Sequence, residues 1–150
     1  MKLLIPPPIQ ALLSAIMMWL ISRYFLQANF SLTVINVFAL VFLIIAAIII
    51  ILSINKFRET KTTISPLKLN KTSSLVSNGI YRYTRNPMYL GLLLMLFSTA
   101  LFLKNFISFL ILPLFILSIT KNQILPEEEA LENIFGEKYK NYKKKVRRWI

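Results

Sequence analysis

The sequence contains no cysteine, no histidine and no aspartate in its 150 residues. The lack of cysteine excludes disulfides, thiolate metal ligands and thiol nucleophiles. Without histidine and aspartate the chain cannot build a Ser-His-Asp triad or a histidine-ligated zinc or iron site. Glycine is scarce too, with three residues, and there is no glycine-rich phosphate loop. Any chemistry must therefore use Glu, Arg, Lys, Tyr, Asn and backbone groups, and we expect no metal centre.

Apolar residues, by contrast, are abundant and occur in long runs. They make up 56% of the sequence, and the mean hydropathy is +0.62. Segment 30–55 has no charged residue, and at about 1.5 Å per residue it is long enough to cross a hydrocarbon core of about 30 Å. Segments 9–27, 87–103 and 106–120 are also largely apolar, and the last two are separated only by Lys104-Asn105.

These runs predict an all-α, polytopic membrane protein with about four transmembrane helices. The third and fourth helices form a tight hairpin, which either spans the membrane or dips into it. A buried core helix in a soluble protein would be unusual at the length of segment 30–55.

The positive charge is unevenly distributed. There are 18 Lys and Arg residues against six acidic ones, which gives a net charge of +12. Sixteen of the basic residues lie at Lys2, in segment 56–86 or after Thr120, and only Arg23 and Lys104 lie elsewhere. By the positive-inside rule we expect both termini and the middle segment to be cytoplasmic, in a bacterial inner membrane. Attraction to anionic lipid headgroups explains most of the basic tail, and nucleic-acid binding is disfavoured.

The length leaves room for one domain, which these patterns divide into four parts. Residues 1–55 form two N-terminal spans, and residues 56–86 form a cytoplasmic loop. Residues 87–120 form the hairpin. Residues 121–150 form a cytoplasmic tail that contains a helix.

Two segments carry the candidate chemistry. In the run from Tyr81 to Tyr89, Asn86 is a natural N-cap and Pro87 a natural first residue of a helix. The free amides of that helix start suit an anionic group. In the tail, Glu127-Glu128-Glu129 directly follow Pro126. They either stabilise the start of a cytoplasmic helix or form a carboxylate cluster for a cationic or hydroxyl-rich ligand.

These segments resemble the two signatures of the isoprenylcysteine carboxyl methyltransferase-like membrane proteins, a group that also includes phospholipid N-methyltransferases. The first signature corresponds to Leu75–Gly91. The second corresponds to Pro126-Glu127-Glu128, Leu131, Phe135-Gly136-Glu137, Tyr139, Tyr142 and Val146. The resemblance covers residues 57–150. Eukaryotic members carry Arg-His-Pro where this chain has Arg85-Asn86-Pro87, so the chain resembles a bacterial-type member.

The resemblance implies S-adenosylmethionine as methyl donor at the cytoplasmic membrane face. It also implies a lipophilic acceptor that enters from the bilayer, either an isoprenylcysteine-type carboxylate or a lipid-like small molecule. The implied donor-binding residues are Tyr81, Arg85, Asn86, Pro87, Tyr89, Leu90, Glu127, Glu128, Tyr139 and Tyr142. Among them, Arg85 and Glu128 are the candidates for catalysis. In-line methyl transfer needs positioning and electrostatics, and it needs no metal.

Two other functions stay open at this point. The wider superfamily includes membrane reductases of the sterol-reductase type, which use NADPH. The chain is also compatible with a non-catalytic membrane protein that keeps the signatures for structural reasons. Binding of S-adenosylmethionine, of the reduced dinucleotide, or of neither would distinguish the three.

Overall fold

The computed structural model describes residues 5–24, 32–59 and 75–150. Within these ranges the chain is helical and contains no β-strand, which confirms the predicted all-α class. Part of the predicted middle loop, residues 60–74, lies outside the described residues. The α-helices are α1 (Pro7–Tyr24), α2 (Leu32–Glu59), α3 (Pro87–Leu103), α4 (Ile111–Ile119), α5 (Leu125–Phe135) and α6 (Glu137–Lys145). Short 3-10 turns occupy Gly79–Arg82 and Phe106–Leu110, and a π-helical turn occupies Thr120–Ile124.

Helix α2 is longer than its apolar run and exposes much of its apolar surface. Its 28 residues extend about 42 Å at 1.5 Å per residue, which exceeds a hydrocarbon core of about 30 Å. The last turn carries an ion pair between Lys56 Nζ and Glu59 Oε2 at 2.7 Å. Large side chains such as Val37 and Phe38 are each 56% exposed. This exposure is typical of a helix that faces lipid, since a soluble protein buries such a helix.

Within the described residues, two helical segments are long and apolar enough to cross a membrane. They are Thr33–Glu59 and the continuous segment Phe106–Phe135. Helix α3 is apolar but shorter, with 17 residues. The count of four crossings therefore stays a prediction.

Helices α2 and α3 approach closely because small residues line their contact. Ala39 and Ala46, seven residues apart on α2, are both buried. A Cβ atom at Gly91 would lie 2.4 Å from Ile50 Cγ1 and 3.2 Å from the Ala46 carbonyl oxygen, so this contact requires glycine. The Ser98 hydroxyl donates a hydrogen bond to the Ala39 carbonyl at 2.7 Å. Small residues and interhelical hydrogen bonds of this kind stabilise helix pairs in membranes.

The predicted hairpin turn lies at Lys104-Asn105. Lys104 ends α3 in a left-handed conformation with φ of 52°. The buried Asn105 side chain then accepts hydrogen bonds from the amides of Ile107 at 2.9 Å and Ser108 at 3.2 Å. These bonds cap the following turn, so the chain reverses next to Lys104, the only charged residue between Pro87 and Thr120.

Pro126 lies in the first turn of α5, but α5 has no free N-terminal end. Helical backbone runs without interruption through Phe106–Phe135, and the π-helical turn Thr120–Ile124 joins α4 to α5. The wider turn accommodates a proline, which has no N–H to contribute to a regular α-helical bond. The explanation of the tail glutamates as charges at a free helix start therefore loses its basis.

Candidate functional site

The end of the chain folds back onto the segment that precedes α3. Gly136, with φ of 53° and ψ of −125°, forms the joint between α5 and α6 and permits this reversal. The Arg85 amide donates to the Arg147 carbonyl at 3.0 Å. The Thr84 hydroxyl and the Asn86 side-chain amide both donate to the Arg148 carbonyl, at 3.2 and 2.9 Å. Residues about 60 positions apart thereby form one site.

Tyrosines from both signatures stabilise this arrangement. The Tyr142 hydroxyl donates to the Tyr81 carbonyl at 2.6 Å, and both side chains are buried. Tyr139 and Tyr142 form a small apolar cluster with Val146, against which Leu75, Leu131 and Phe135 pack. The second signature therefore contributes a compact helical unit whose apolar face binds the first signature.

The centre of the site is the buried carboxylate of Glu128, which lies between two arginines. Arg148 donates to it through Nε at 3.0 Å and Nη2 at 2.8 Å, in a bidentate pair. Arg85 Nη2 lies 3.3 Å from Glu128 Oε1. The side chains of Arg85 and Glu128 are only 10% and 7% exposed. The cluster carries one negative and two positive charges, so it remains net positive.

Two further hydrogen-bond donors of Arg85 have no partner among the described residues. Its Nε and Nη1 atoms are buried, and none of the described residues provides an acceptor for them. A buried N–H of a charged group costs considerable free energy when it is left unpaired. The arrangement therefore favours a ligand with acceptor oxygens, because a planar guanidinium pairs best with a carboxylate or a phosphate.

A second carboxylate lies close by on the same helix as Glu128. The Tyr89 hydroxyl of α3 donates to Glu127 Oε1 at 2.5 Å. Tyr89 is buried and Glu127 is half-buried. This bond joins the start of the third apolar helix to α5, so the two predicted residues are brought together across the two signatures.

The tyrosines outside the apolar helices, at positions 81, 139 and 142, are held in their neutral form. Burial raises the pKa of the Tyr139 hydroxyl, and the Glu128 charge raises it further against the opposing effect of Arg85. Burial also raises the pKa of Tyr81 and of Tyr142. These hydroxyls act as neutral hydrogen-bonding groups and do not supply a phenolate base.

Asn86 occupies the N-cap position of α3, as predicted, but its side chain does not satisfy the first amides of the helix. Helix α3 begins at Pro87, and the Asn86 side chain makes no capping hydrogen bond. Its amide is instead directed at the Arg148 carbonyl. Pro87 and Leu90 are buried in the first turn of the helix. That the first amides of α3 hold an anionic group stays a prediction.

Arg148 is not among the predicted site residues, because the basic tail was expected to contact lipid headgroups. In the structure this side chain forms a salt bridge with Glu128. A weak signal was present, since Arg147 and Arg148 follow the lysines at positions 143–145. Arginine, unlike lysine, pairs with a carboxylate in bidentate geometry, so an arginine in this tail was a better candidate than a lysine.

Fold and site together define an all-helical protein with apolar, lipid-facing helices and a composite polar site at the start of one of them. A family model described as "Phospholipid methyltransferase" matches residues 34–138. The chain therefore belongs to the phospholipid methyltransferase family. The matched range includes Arg85, Tyr89, Glu127 and Glu128, and it ends before Arg148.

Individual relatives match a narrower range. The protein-S-isoprenylcysteine O-methyltransferase of Schizosaccharomyces pombe is 39% identical over 79 residues, 53% of this chain and 34% of that protein. That of Dictyostelium discoideum is 42% identical over 72 residues, 48% of this chain and 30% of that protein. An uncharacterized protein of Haemophilus influenzae is 49% identical over 63 residues, 42% of this chain and 100% of that protein. The matches to the two named methyltransferases thus span about a third of their length. No solved structure matches the chain significantly.

Proposed function

We propose that the protein transfers a methyl group from S-adenosylmethionine to a lipophilic acceptor at the cytoplasmic face of a membrane. The observation that carries this proposal is the buried Arg85 side chain, with two N–H groups that find no acceptor among the described residues. The amino-acid part of the donor ends in a carboxylate, which matches these two groups in charge and supplies acceptor oxygens. The family match and the named relatives support the same activity.

The donor also has cationic parts, and the site offers them a separate group. Glu127 lies on α5 next to the α3 residue Tyr89, and its carboxylate suits an ammonium or a sulfonium. Arg85 would hold the donor carboxylate, with Asn86, Pro87 and Leu90 beside it on the chain. When bound, the donor supplies an electrophilic methyl group; the residues of this chain bind it, orient it and exclude water.

We assign Glu128 to positioning rather than to contact with the donor. Its oxygens accept from Arg148 and lie next to Arg85. Glu128 thereby contacts the Arg85 guanidinium at Nη2, while Nε and Nη1 have no acceptor among the described residues. In this role Glu128 acts through Arg85.

The acceptor we propose is a carboxylate of isoprenylcysteine type, or a lipid-like small molecule of similar chemistry. A carboxylate is ionised at neutral pH and attacks a methyl group without a general base. The neutral state of Tyr81, Tyr139 and Tyr142 agrees with a reaction that needs no base. The lipid-facing helices support entry of the acceptor from the bilayer.

We further propose a bacterial inner-membrane location with both termini in the cytoplasm. The support is the distribution of basic residues, since sixteen of the 18 lie in the segments expected to be cytoplasmic. The donor is made in the cytoplasm, so this orientation gives it access to the site.

Calorimetric titration of the purified protein with S-adenosylmethionine tests the proposal. We expect binding by the wild type and a loss of roughly 10- to 100-fold in affinity for Arg85→Lys, since a charged hydrogen bond contributes about 1.5–3 kcal/mol. Arg58→Lys, at the exposed end of α2, is the matched control and should bind normally. Binding of NADPH instead would favour a reductase, and binding of neither would favour a non-catalytic protein. Either result would refute the proposal.

A further inference from the structure

A groove of about 800 Å³ lies between the segment before α3 and helix α6. Its polar lining consists of Ser77, Arg82, Lys138, Asn141 and Lys145, and its apolar lining includes Phe135 and Val146. The first signature supplies Ser77 and Arg82, and the tail supplies the rest. The groove contains none of the residues that hold the Arg85–Glu128 cluster.

The groove is lined by positive charge that no carboxylate neutralises. All six acidic residues of the chain lie in its described part, and none of them lines the groove. Five of them have partners elsewhere: Glu59 pairs with Lys56, Glu127 with Tyr89, Glu128 with Arg85 and Arg148, Glu132 with Lys143, and Glu137 with Lys140. The sixth, Glu129, lines a different cavity, together with Glu128 and Glu132. The fold therefore separates its acidic residues from the three cations of the groove.

The walls of the groove are fixed relative to each other. The buried hydrogen bond from the Tyr142 hydroxyl to the Tyr81 carbonyl, 2.6 Å long, holds α6 against the turn that carries Arg82. Lys138, Asn141 and Lys145 follow each other at helical spacings of three and four residues, so they share one face of α6. Their side-chain donors and those of Arg82 and Ser77 consequently line a single concave surface.

We propose that this groove binds the phosphate group of a membrane phospholipid. Arginine, lysine, asparagine and serine side chains all donate hydrogen bonds to phosphate oxygens, and three of the five groups carry full positive charge. Arg82 precedes Pro87, the first residue of the apolar helix α3, by five positions. The groove thus lies at the level where lipid headgroups occur. Its apolar lining suits the glycerol and upper acyl region of a lipid and contributes nothing to an isolated phosphate.

Lipid binding at the groove can be measured without methyl transfer, so its test uses no methyl donor. Detergent-solubilised protein is titrated with dihexanoyl-phosphatidylglycerol, with dihexanoyl-phosphatidylcholine and with glycerol 3-phosphate. We expect the anionic lipid to bind most tightly, because the cations are uncompensated. We expect glycerol 3-phosphate to bind more weakly, since it lacks acyl chains. Tighter binding of glycerol 3-phosphate would overturn the assignment to a lipid in favour of a soluble phosphate ligand.

Two triple variants separate a groove from diffuse attraction. Arg82→Gln/Lys138→Gln/Lys145→Gln removes the groove cations. Lys121→Gln/Lys144→Gln/Arg147→Gln removes three exposed cations that do not line it. Both variants lower the net charge equally. We expect the groove variant to lose about tenfold or more in affinity for dihexanoyl-phosphatidylglycerol, the factor for one charged hydrogen bond. Equal losses in the two variants would overturn the proposal.

A pair of single variants gives the same information if a triple variant does not fold. Lys145→Gln and Lys144→Gln remove the same charge from adjacent, exposed positions of α6, and only Lys145 lines the groove. Lys145→Gln should weaken lipid binding more than Lys144→Gln does. The reverse order, or no difference, would show that the groove has no specific role.

Discussion

Replacing Glu128 with glutamine tests whether the charge cluster organises the site. The substitution keeps the shape of the side chain and removes the negative charge between Arg85 and Arg148. Arg85 is 10% exposed and Arg148 is 34% exposed. In Glu128→Gln two guanidinium groups would therefore face each other without a counter-charge, one of them in a buried position.

The expected loss of stability follows from these exposures. Breaking a buried ion pair by removing one partner costs about 3–5 kcal/mol. The glutamine keeps one acceptor oxygen and Arg148 is partly solvated, so we expect about 2–3 kcal/mol for Glu128→Gln. The matched control is Glu132→Gln, which removes a 2.8 Å salt bridge with Lys143. In this pair the Glu132 side chain is 32% exposed and the Lys143 side chain is 35% exposed. Water screens a pair with that exposure, so it contributes little to stability.

Thermal unfolding of the detergent-solubilised protein measures the difference. At about 2–4 °C per kcal/mol for a chain of this size, Glu128→Gln should lower the unfolding midpoint by roughly 5–10 °C, and Glu132→Gln by less than about 4 °C. The double variant Glu128→Gln/Arg148→Gln should lose less than the sum of the two single variants, because removing Arg148 as well relieves the repulsion between the two guanidinium groups that Glu128→Gln leaves without a counter-charge. Equal shifts for Glu128→Gln and Glu132→Gln, or strict additivity, would refute the role of the cluster.

Three further predictions address the contacts around the site. Gly91→Ala should lower the thermal unfolding midpoint, because its Cβ would clash with Ile50, and adding Ile50→Ala should restore part of the loss. An unchanged midpoint in Gly91→Ala would contradict the close contact between α2 and α3. Asn86→Asp should lower the midpoint at least as much as Asn86→Ala, because a carboxylate cannot donate to the tail carbonyl that Asn86 contacts; rescue by Asp would instead indicate an N-cap. Cysteine in Asn141→Cys should be labelled by a membrane-impermeant maleimide only from the cytoplasmic side, and in Lys104→Cys only from the other side; labelling of both from one side would refute the proposed orientation.

The helical architecture could be predicted from the sequence because the relevant signals are local. The start of α3 at Pro87 and the reversal at Lys104-Asn105 depend on backbone chemistry within a few residues. The end of α2 was predicted too early, since the apolar run ends at Asn55 whereas the helix continues to Glu59. Polarity indicates where lipid contact ends, and it does not indicate where helical hydrogen bonding ends.

The pairing inside the site could be predicted only in part. The two signatures indicated that Arg85, Tyr89, Glu127 and Glu128 belong together, and the structure brings them together in two pairs. Glu128 accepts two hydrogen bonds from Arg148. The sequence could not single out this arginine, because the tail contains eight basic residues. Which cation reaches a buried carboxylate depends on the fold of the backbone, and no local pattern encodes it.

The salt bridge between Arg148 and Glu128 changes the net charge of the cluster around Arg85. A pair of Arg85 and Glu128 alone would be neutral, and the free N–H groups of Arg85 would attract a carboxylate only weakly. With Arg148 the cluster carries a net positive charge, so an anionic group is favoured at Arg85 Nε and Nη1. Glu127, bonded to the Tyr89 hydroxyl, provides a carboxyl group for a cation on the same helix. A ligand that carries both a carboxylate and a cation is the kind that two such neighbouring groups select. Arg148 lies beyond residue 138, where the family match ends, and it pairs with Glu128, so the tail of this chain contributes to the charge cluster as well as to the basic surface.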